Sequence, residues 1–481
     1  MPPRYSWRQR GGCLAITFVS IVLAVLMALS VAPAAAQSSL PVLTACTPET
    51  APVLPSRWRA VGLMMPYQRQ QLEVGEFVGD TTLPAMRATL YGVEQGAVDL
   101  LITENETYQL TGPRDAPSGC IALGRKYTPP GQRWLAENAV CDGEAPLAST
   151  KLQWWKHPAA DGRAVRHWYK SDTRLPWRLL FPGAPAASEL AVFGDYSMTN
   201  FASFTPLDRT DVGRTDLGQL AAFCAQRATK ASAAAAAVTS ARELMASAGA
   251  AAEAERAKRV ETLIPGFTRK ACATMAKPRW PDQFVVSGIL LPIPMQYTPL
   301  PSVIFYDFTG AGTQVAMMHE ARTQPPALEL VSVLARGIGY GLEKMPNGQF
   351  ACFANSPGVV RPDWISVAGC ECKGVLDKHP ELSPGDVTQI LACPVKDAGL
   401  RVNWAWYTAD SRPVLFMQPD AIGGGLSVAD YHRWRPGMKM PADTFELPQE
   451  CSSPPPMAPP VGDGMSASAS APCSDCHTTQ R

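Results

Sequence analysis

The chain repeats itself, and that repetition limits its fold more than any local propensity does. Cys46 and Cys224 stand 178 residues apart, and Cys272 and Cys451 stand 179 apart. Between them Cys120 answers to Cys352 and Cys141 to Cys370, at 74 against 80 and 95 against 98 residues from the first cysteine. Other landmarks keep the same order. Arg57-Trp58 recurs as Arg279-Trp280, and Gly62-Leu-Met-Met-Pro66 recurs as Gly288-Ile-Leu-Leu-Pro292. Trp168-Tyr169-Lys-Ser-Asp172-Thr-Arg174 and Trp406-Tyr407-Thr-Ala-Asp410-Ser-Arg412 share the pattern W-Y-x-x-D-[ST]-R. Asp195-Tyr196 and Asp430-Tyr431 follow at nearly the same interval. The expected organisation is a first β module over residues 37–215, a connector over 216–265, and a duplicate module over 266–451.

Ahead of the first module, residues 1–36 read as a secretory signal. Arg4, Arg8 and Arg10 precede an apolar run from Cys13 to Ala32, and Ala34 and Ala36 fit a small-residue cleavage site before Gln37. Gln9 separates Arg8 from Arg10, so no twin-arginine pair is present and general secretion is expected. Of 43 Lys and Arg, three leave with the signal, and the 42 Asp and Glu then give a mature net charge of −2. That balance excludes the basic footprint of nucleic-acid binding. No later stretch is long and apolar enough to span a bilayer as a helix. Periplasmic or secreted localisation is the expectation.

Cys13 also leaves with the signal, so twelve of the 13 cysteines meet an oxidising compartment and are expected in disulfides. The symmetry of spacings predicts Cys46–Cys224 and Cys272–Cys451 across each module, and Cys120–Cys141 and Cys352–Cys370 inside it. The extra Cys372 and Cys393 would pair with each other. Leu43-Thr-Ala-Cys46 has the residue types of a lipoprotein cleavage box, but Pro33 to Val42 separate it from the apolar run.

The predicted fold class is α+β, mainly antiparallel β. Val98 to Leu110 is rich in β-formers and partly alternates, and Gln283 to Pro292 and Ser302 to Phe308 are short and bounded by Pro or Gly. Each W-Y-x-x-D-[ST]-R segment reads as a strand, a polar turn at the Asp, and a returning strand. The 45 prolines argue against long helices inside the modules. Asp216 to Thr262 is the exception: Ala-rich and free of Pro, it predicts one long or broken helix joining the modules.

A unit of mainly antiparallel strands with a helix, opened by Leu54-Pro-x-Arg-Trp58 and carrying the hairpin Trp168 to Phe181, resembles the LolA-type half-barrel. That family includes periplasmic lipoprotein and lipid carriers and a violacein-pathway enzyme working without metal or coenzyme. The resemblance covers about 150 residues of each module and implies two tandem half-barrel-like modules, each with a concave face able to hold a small apolar ligand. Trp58, Trp168, Trp280 and Trp406 are the candidate ligand-lining residues, with ordinary core packing the alternative for each. The repeated Asp172/Arg174 and Asp410/Arg412 read as turn-fixing groups.

Beyond Cys451, residues 452–481 are rich in Pro, Ser and Ala, and a flexible tail is expected. It ends in Cys473-Ser-Asp-Cys476-His477, the C-x-x-C-H pattern of c-type haem attachment. Two thioethers would form from Cys473 and Cys476, and His477 would ligate the iron. Met457, Met465, His432 and His319 are candidates for the opposite axial position. A disulfide between Cys473 and Cys476, or a metal site including His477, are the alternatives. Met317-Met-His319-Glu320 is a further soft-metal candidate with a structural role as its alternative, His157, His167 and His379 stand alone, and Gly423-Gly-Gly425 reads as a turn or bulge. There is no G-x-S-x-G, H-E-x-x-H or phosphate-binding Gly loop, which argues against an enzyme. The sequence therefore predicts an exported binding or redox-accessory protein with haem c on its tail and a redox protein as partner. The rivals are a haem-free carrier of a small apolar ligand and a coenzyme-free enzyme.

Overall fold

The computed structural model describes residues 44–46, 51–66, 72–92, 97–124, 129, 131–132, 139–147, 150–158, 164–182, 196–207, 216–230, 250–293, 299–309, 314–319, 330–335, 338–344, 350–355, 361–383, 385–394, 402–419 and 426–446. The signal segment and the tail with Cys473, Cys476 and His477 lie outside them, as does Cys451.

Antiparallel strands dominate, in two sheets. The first holds β1 (Arg57–Pro66), β2 (Glu73–Asp80), β3 (Ala85–Gly92), β4 (Ala97–Thr103), β5 (Thr107–Thr111) and β6 (Gly119–Ala122). It continues with β7 (Val140–Leu147), β8 (Thr150–Pro158), β9 (Ala164–Lys170), β10 (Pro176–Pro182), β11 (Tyr196–Pro206) and the short β12 (Thr229–Lys230). The second opens with the short β13 (Phe267–Thr268), then β14 (Gln283–Ile293), β15 (Leu300–Asp307), β16 (Gln314–His319), β17 (Leu330–Ala335) and β18 (Ile338–Lys344). It closes with β19 (Phe350–Asn355), β20 (Glu371–Asp377), β21 (Val387–Pro394), β22 (Val402–Thr408), β23 (Pro413–Pro419) and β24 (Leu426–Pro436).

The strand order of the first sheet is 12-6-5-4-3-2-1-11-10-9-8-7. In the second it is 13-20-21-22-23-24-14-15-16-17-18-19, which read backwards repeats the first from β6 to β7. Irregularities recur as well. Ladder β1–β11 breaks register between Val61 and Gly62, and β14–β24 breaks it between Ser287 and Gly288. A β-bulge inserts one unpaired residue and bends the strand, here Ala202 in β11 and His432 in β24. Glycine at the partner position has a local cause: a Cβ on Gly288 would lie 2.0 Å from the Asp430 carbonyl oxygen, and one on Gly62 would lie 2.8 Å from that of Asn200.

Register corrects two sequence readings and refines a third. Asn200-Phe201, not Asp195-Tyr196, occupies the position of Asp430-Tyr431, because both follow from pairing across the Gly62 and Gly288 bulges. Phe284, not Trp280, takes the place of Trp58 in the opening strand. The β-rich stretch Val98 to Leu110 divides into β4 and β5, a hairpin whose turn is closed by Thr103, its hydroxyl donating to the Glu106 carbonyl at 2.8 Å. The W-Y-x-x-D-[ST]-R segments form the β9–β10 and β22–β23 hairpins.

Within 216–265 two helices are described, α1 (Leu217–Arg227) and α2 (Ala250–Leu263), with β12 between them. Asp216 caps α1 by accepting from the amides of Gly218 and Gln219, satisfying donors that the first turn leaves free. Leu217 and Cys224 of α1 pack on Leu101, Tyr108, Leu110 and Cys120 of the first sheet. No helix among the described residues is long and apolar enough to cross a membrane.

Candidate functional site

Side chains alternate between the faces of a strand, so every strand offers two surfaces. One face of the first sheet packs against one face of the second. The shared core joins Leu63, Met65, Ala145, Trp154 and Met198 to Ile289, Leu291, Leu376, Ile390 and Val428. Those two sets occupy equivalent register positions, so the sheets meet through the same surface. Val260 of α2 and Ile264, just beyond its end, seal the junction. Hydrogen bonds cross it: Trp404 Nε1 donates to the Pro66 carbonyl at 2.9 Å, and Trp406 Nε1 approaches Met65 Sδ at 3.2 Å. Lys170 pairs with Glu381 at its edge.

Set into this apolar junction is a polar seam. Arg178 Nη1 of β10 donates to both carboxylate oxygens of Asp430 on β24, at 2.8 and 2.6 Å. Its Nε donates to Asn200 Oδ1. The Arg178 and Asp430 side chains are only 3% and 4% exposed, so each charge depends on the other for solvation. Burial pushes the Asp430 carboxyl up and the Arg178 guanidinium down, and the pair's mutual attraction opposes both shifts. Two residues along β24 stands His432, whose two ring nitrogens are shielded from solvent and lack a partner among the described residues. Burial, assisted by the Arg433 charge, lowers its imidazole to about 4. A neutral imidazole with both nitrogens open is chemically a metal ligand or a proton acceptor. His379, by contrast, spends Nδ1 on the amides of Glu381 and Leu382.

No protein-family model matches the chain, and no curated protein matches it. Among solved structures, an uncharacterized conserved protein from Thermus thermophilus aligns at 12% identity over 37% of this chain and 91% of its own, with a TM-score of 0.22. MucB, solved in complex with MucA(peri), aligns at 12% identity over 57% of this chain and 81% of its own, with a TM-score of 0.19. Scores of that size do not assign a fold family.

The candidate tryptophans do not converge on one surface. Trp58 is buried on the other face of the first sheet, its ring stacked on Phe204 at 5.1 Å. Trp406 is in the shared core. Trp280 packs among Phe284, Tyr306 and Trp364 on the far side of the second sheet and donates to the Tyr407 hydroxyl at 3.2 Å. Trp168 pairs with Trp154 and Arg178 through its backbone. The Asp residues act in turns: Asp172 accepts from the Thr173 amide at 2.8 Å, Asp410 accepts from the Thr408 hydroxyl, and Arg412 pairs with Asp386. Met317 and His319 lie on β16, where His319 pairs with Ser302 through the backbone. Among the described residues no group of three or more His, Cys, Asp or Glu could hold a metal.

The disulfides depart from the expected pairing. They are Cys46–Cys141, Cys120–Cys224, Cys272–Cys372 and Cys370–Cys393, and Cys352 is also disulfide-bonded. The sheet order supplies the reason. Cys141 lies on the edge strand β7, beside which Thr44 bridges Glu144, so Cys46 is delivered to it. Cys120 lies on β6, the strand that α1 covers with Cys224. Cys141-Asp-Gly143 and Cys372-Lys-Gly374 sit at matching bulges, so Cys372, not Cys370, is the counterpart of Cys141. The shared C-x-G tripeptide is the sequence signal that overall spacing obscured. With its sulfur bonded to Cys141, Cys46 has no thiol to carry a lipid.

Proposed function

We propose that this is an exported redox-accessory protein: two tandem half-barrel-like units packed face to face, with a c-type haem on the tail at Cys473, Cys476 and His477. The observation that carries the reading is the commitment of the body's cysteines. Nine of the twelve in the mature chain are already in disulfides: Cys46, Cys120, Cys141, Cys224, Cys272, Cys352, Cys370, Cys372 and Cys393. Cys352 stands where Cys120 stands in the first sheet, and Cys451 matches Cys224 by its spacing in the sequence, so Cys352–Cys451 would complete the set. That pairing would leave the C-x-x-C cysteines for thioether formation. Haem would supply one-electron transfer when bound. The residues that would hold it are His477 and, as a candidate second ligand, His432, whose neutral imidazole has both nitrogens without a partner among the described residues.

Expression in a periplasm with haem-attachment machinery tests this. A haem-sized mass gain that survives denaturation and vanishes in Cys473→Ala/Cys476→Ala is the expected result. A colourless protein whose mass fits six disulfides would exclude it.

A further inference from the structure

A second charged site lies away from the Arg178 seam, where α2 meets the first sheet. Glu76 of β2 is almost fully buried, with a side chain 4% exposed, and it receives three guanidinium groups. Arg59 Nη2 reaches Oε1 at 2.7 Å, Arg114 Nη2 reaches Oε2 at 2.7 Å, and Arg259 Nη2 reaches Oε2 at 3.1 Å. Tyr91 joins them: Arg114 Nη1 donates to its hydroxyl at 2.9 Å, and that hydroxyl lies 3.4 Å from Glu76 Oε2. The neighbouring Arg87 is spoken for by Asp99, which it contacts through Nε and Nη2.

One carboxylate neutralises one guanidinium, so the cluster keeps two positive charges in excess. A structural ion pair needs no such surplus, because crowding like charges costs energy where solvent screening is reduced. The three arginines come from separate segments (β1, the loop after β5, and α2), yet their heads share one point. They are not sealed off: their side chains are 46%, 32% and 39% exposed, leaving unused N–H donors turned to solvent. One turn before Arg259 on α2, Arg256 has a buried Nε with no partner among the described residues. The equivalent of Glu76 in the second sheet is Val303, so the cluster is a feature of the first sheet and the connector alone.

We propose that Arg59, Arg114 and Arg259 form a binding site for a multivalent oxyanion of phosphoryl or polycarboxylate type. Planar guanidinium forks match such groups two donors at a time. Glu76 gathers the three heads and, as an internal anion, competes with the ligand.

The test uses the full mature protein, with inorganic phosphate and citrate titrated separately by calorimetry at ionic strength held constant with sodium chloride. Saturable binding of one anion per chain is expected, and whichever probe binds more tightly assigns the class. Arg114→Gln and Arg259→Gln should each weaken it about tenfold, the scale of one lost charge-assisted hydrogen bond. Arg59→Gln, at the most exposed of the three, gives the same readout with the least risk to folding. Glu76→Gln should tighten binding, a sign that a purely structural cluster would not give. Absence of saturable binding for both probes, or binding indifferent to all three arginine variants, would overturn the proposal.

Discussion

Arg178 of the first sheet and Asp430 of the second form a buried ion pair whose halves occupy non-equivalent positions of the repeat. Register makes Leu415 the counterpart of Arg178 and Asn200 the counterpart of Asp430. Within either sheet the two positions are ladder partners: Arg178 faces Asn200, and Leu415 faces Asp430. Across the junction each charge meets its opposite on the other sheet. Complementary charges thus stand at non-equivalent positions of the two sheets, and the junction is specified for one sheet against the other rather than for either against itself.

Arg178→Met should therefore destabilise the protein by roughly 3–5 kcal/mol, because it leaves Asp430 buried without its partner. Arg178→Met/Asp430→Leu should recover most of that loss, since an apolar pair of similar volume needs no solvation. Guanidinium chloride unfolding of both variants is the measurement. A loss under about 1 kcal/mol in the single variant would mean that the carboxylate finds water or a proton instead.

The bulge glycines give a test of the repeat at backbone level. Gly288→Ala drives a methyl into the Asp430 carbonyl oxygen, 2.0 Å from the ideal Cβ position. Neither backbone segment can yield without breaking the β14–β24 ladder, so a cost of about 1–3 kcal/mol or more is expected. Gly62→Ala, with 2.8 Å to the Asn200 carbonyl oxygen, should cost less. Thermal unfolding that ranks the two the other way would contradict the bulge geometry.

Much of this architecture is legible in the chain. The paired motifs announce two similar β units, and Gly62-to-Pro66 against Gly288-to-Pro292 falls in register to the residue. What escapes is everything set by strand order. Spacing matches Cys141 to Cys370 because it counts residues, whereas pairing depends on which segment lies beside β7 and β20. Trp280 imitates Trp58 in its dipeptide but precedes the strand that carries the true counterpart, Phe284. Arg178 and Glu76 look like ordinary strand charges. The packing of one sheet on the other brings Asp430 to Arg178, and the packing of α2 adds Arg259 to the Arg59 and Arg114 that the first sheet already sets on Glu76.

Stability should fall with acidification between about pH 6.5 and pH 4, and His432 should carry part of that fall. Its folded imidazole is held at about 4, against 6.5 for an unperturbed histidine. The unfolded chain therefore takes up a proton first, so the stabilisation is complete above about pH 6.5 and lost as pH drops toward about 4. His379, lowered by burial, and Glu76, held low by its arginines against burial, act in the same direction, Glu76 nearer the acid end. In the haem-free protein, His432→Leu should flatten the upper part of the profile. Denaturant unfolding at closely spaced pH steps measures it, and an unchanged slope would mean that His432 is hydrated or bonded in solution.

Peptide mapping under non-reducing conditions carries the most consequence for function. Four linkages are expected directly: Cys46–Cys141, Cys120–Cys224, Cys272–Cys372 and Cys370–Cys393. The fifth, Cys352–Cys451, follows from the repeat, since Cys120 on β6 and Cys352 on β19 occupy the same end of equivalent strand orders. Its loop would be nearly as long as that of Cys120–Cys224, where loop closure alone stabilises by about 4–5 kcal/mol in the chain-entropy model. Such a linkage is worth more to the fold than any tail contact, so it should form in preference to one with Cys473 or Cys476. If the map instead joins Cys352 to either tail cysteine, the C-x-x-C pair is broken as an attachment site and the haem proposal falls with it. If it gives Cys352–Cys451, both tail thiols are free of the body and their chemistry is decided by the attachment machinery.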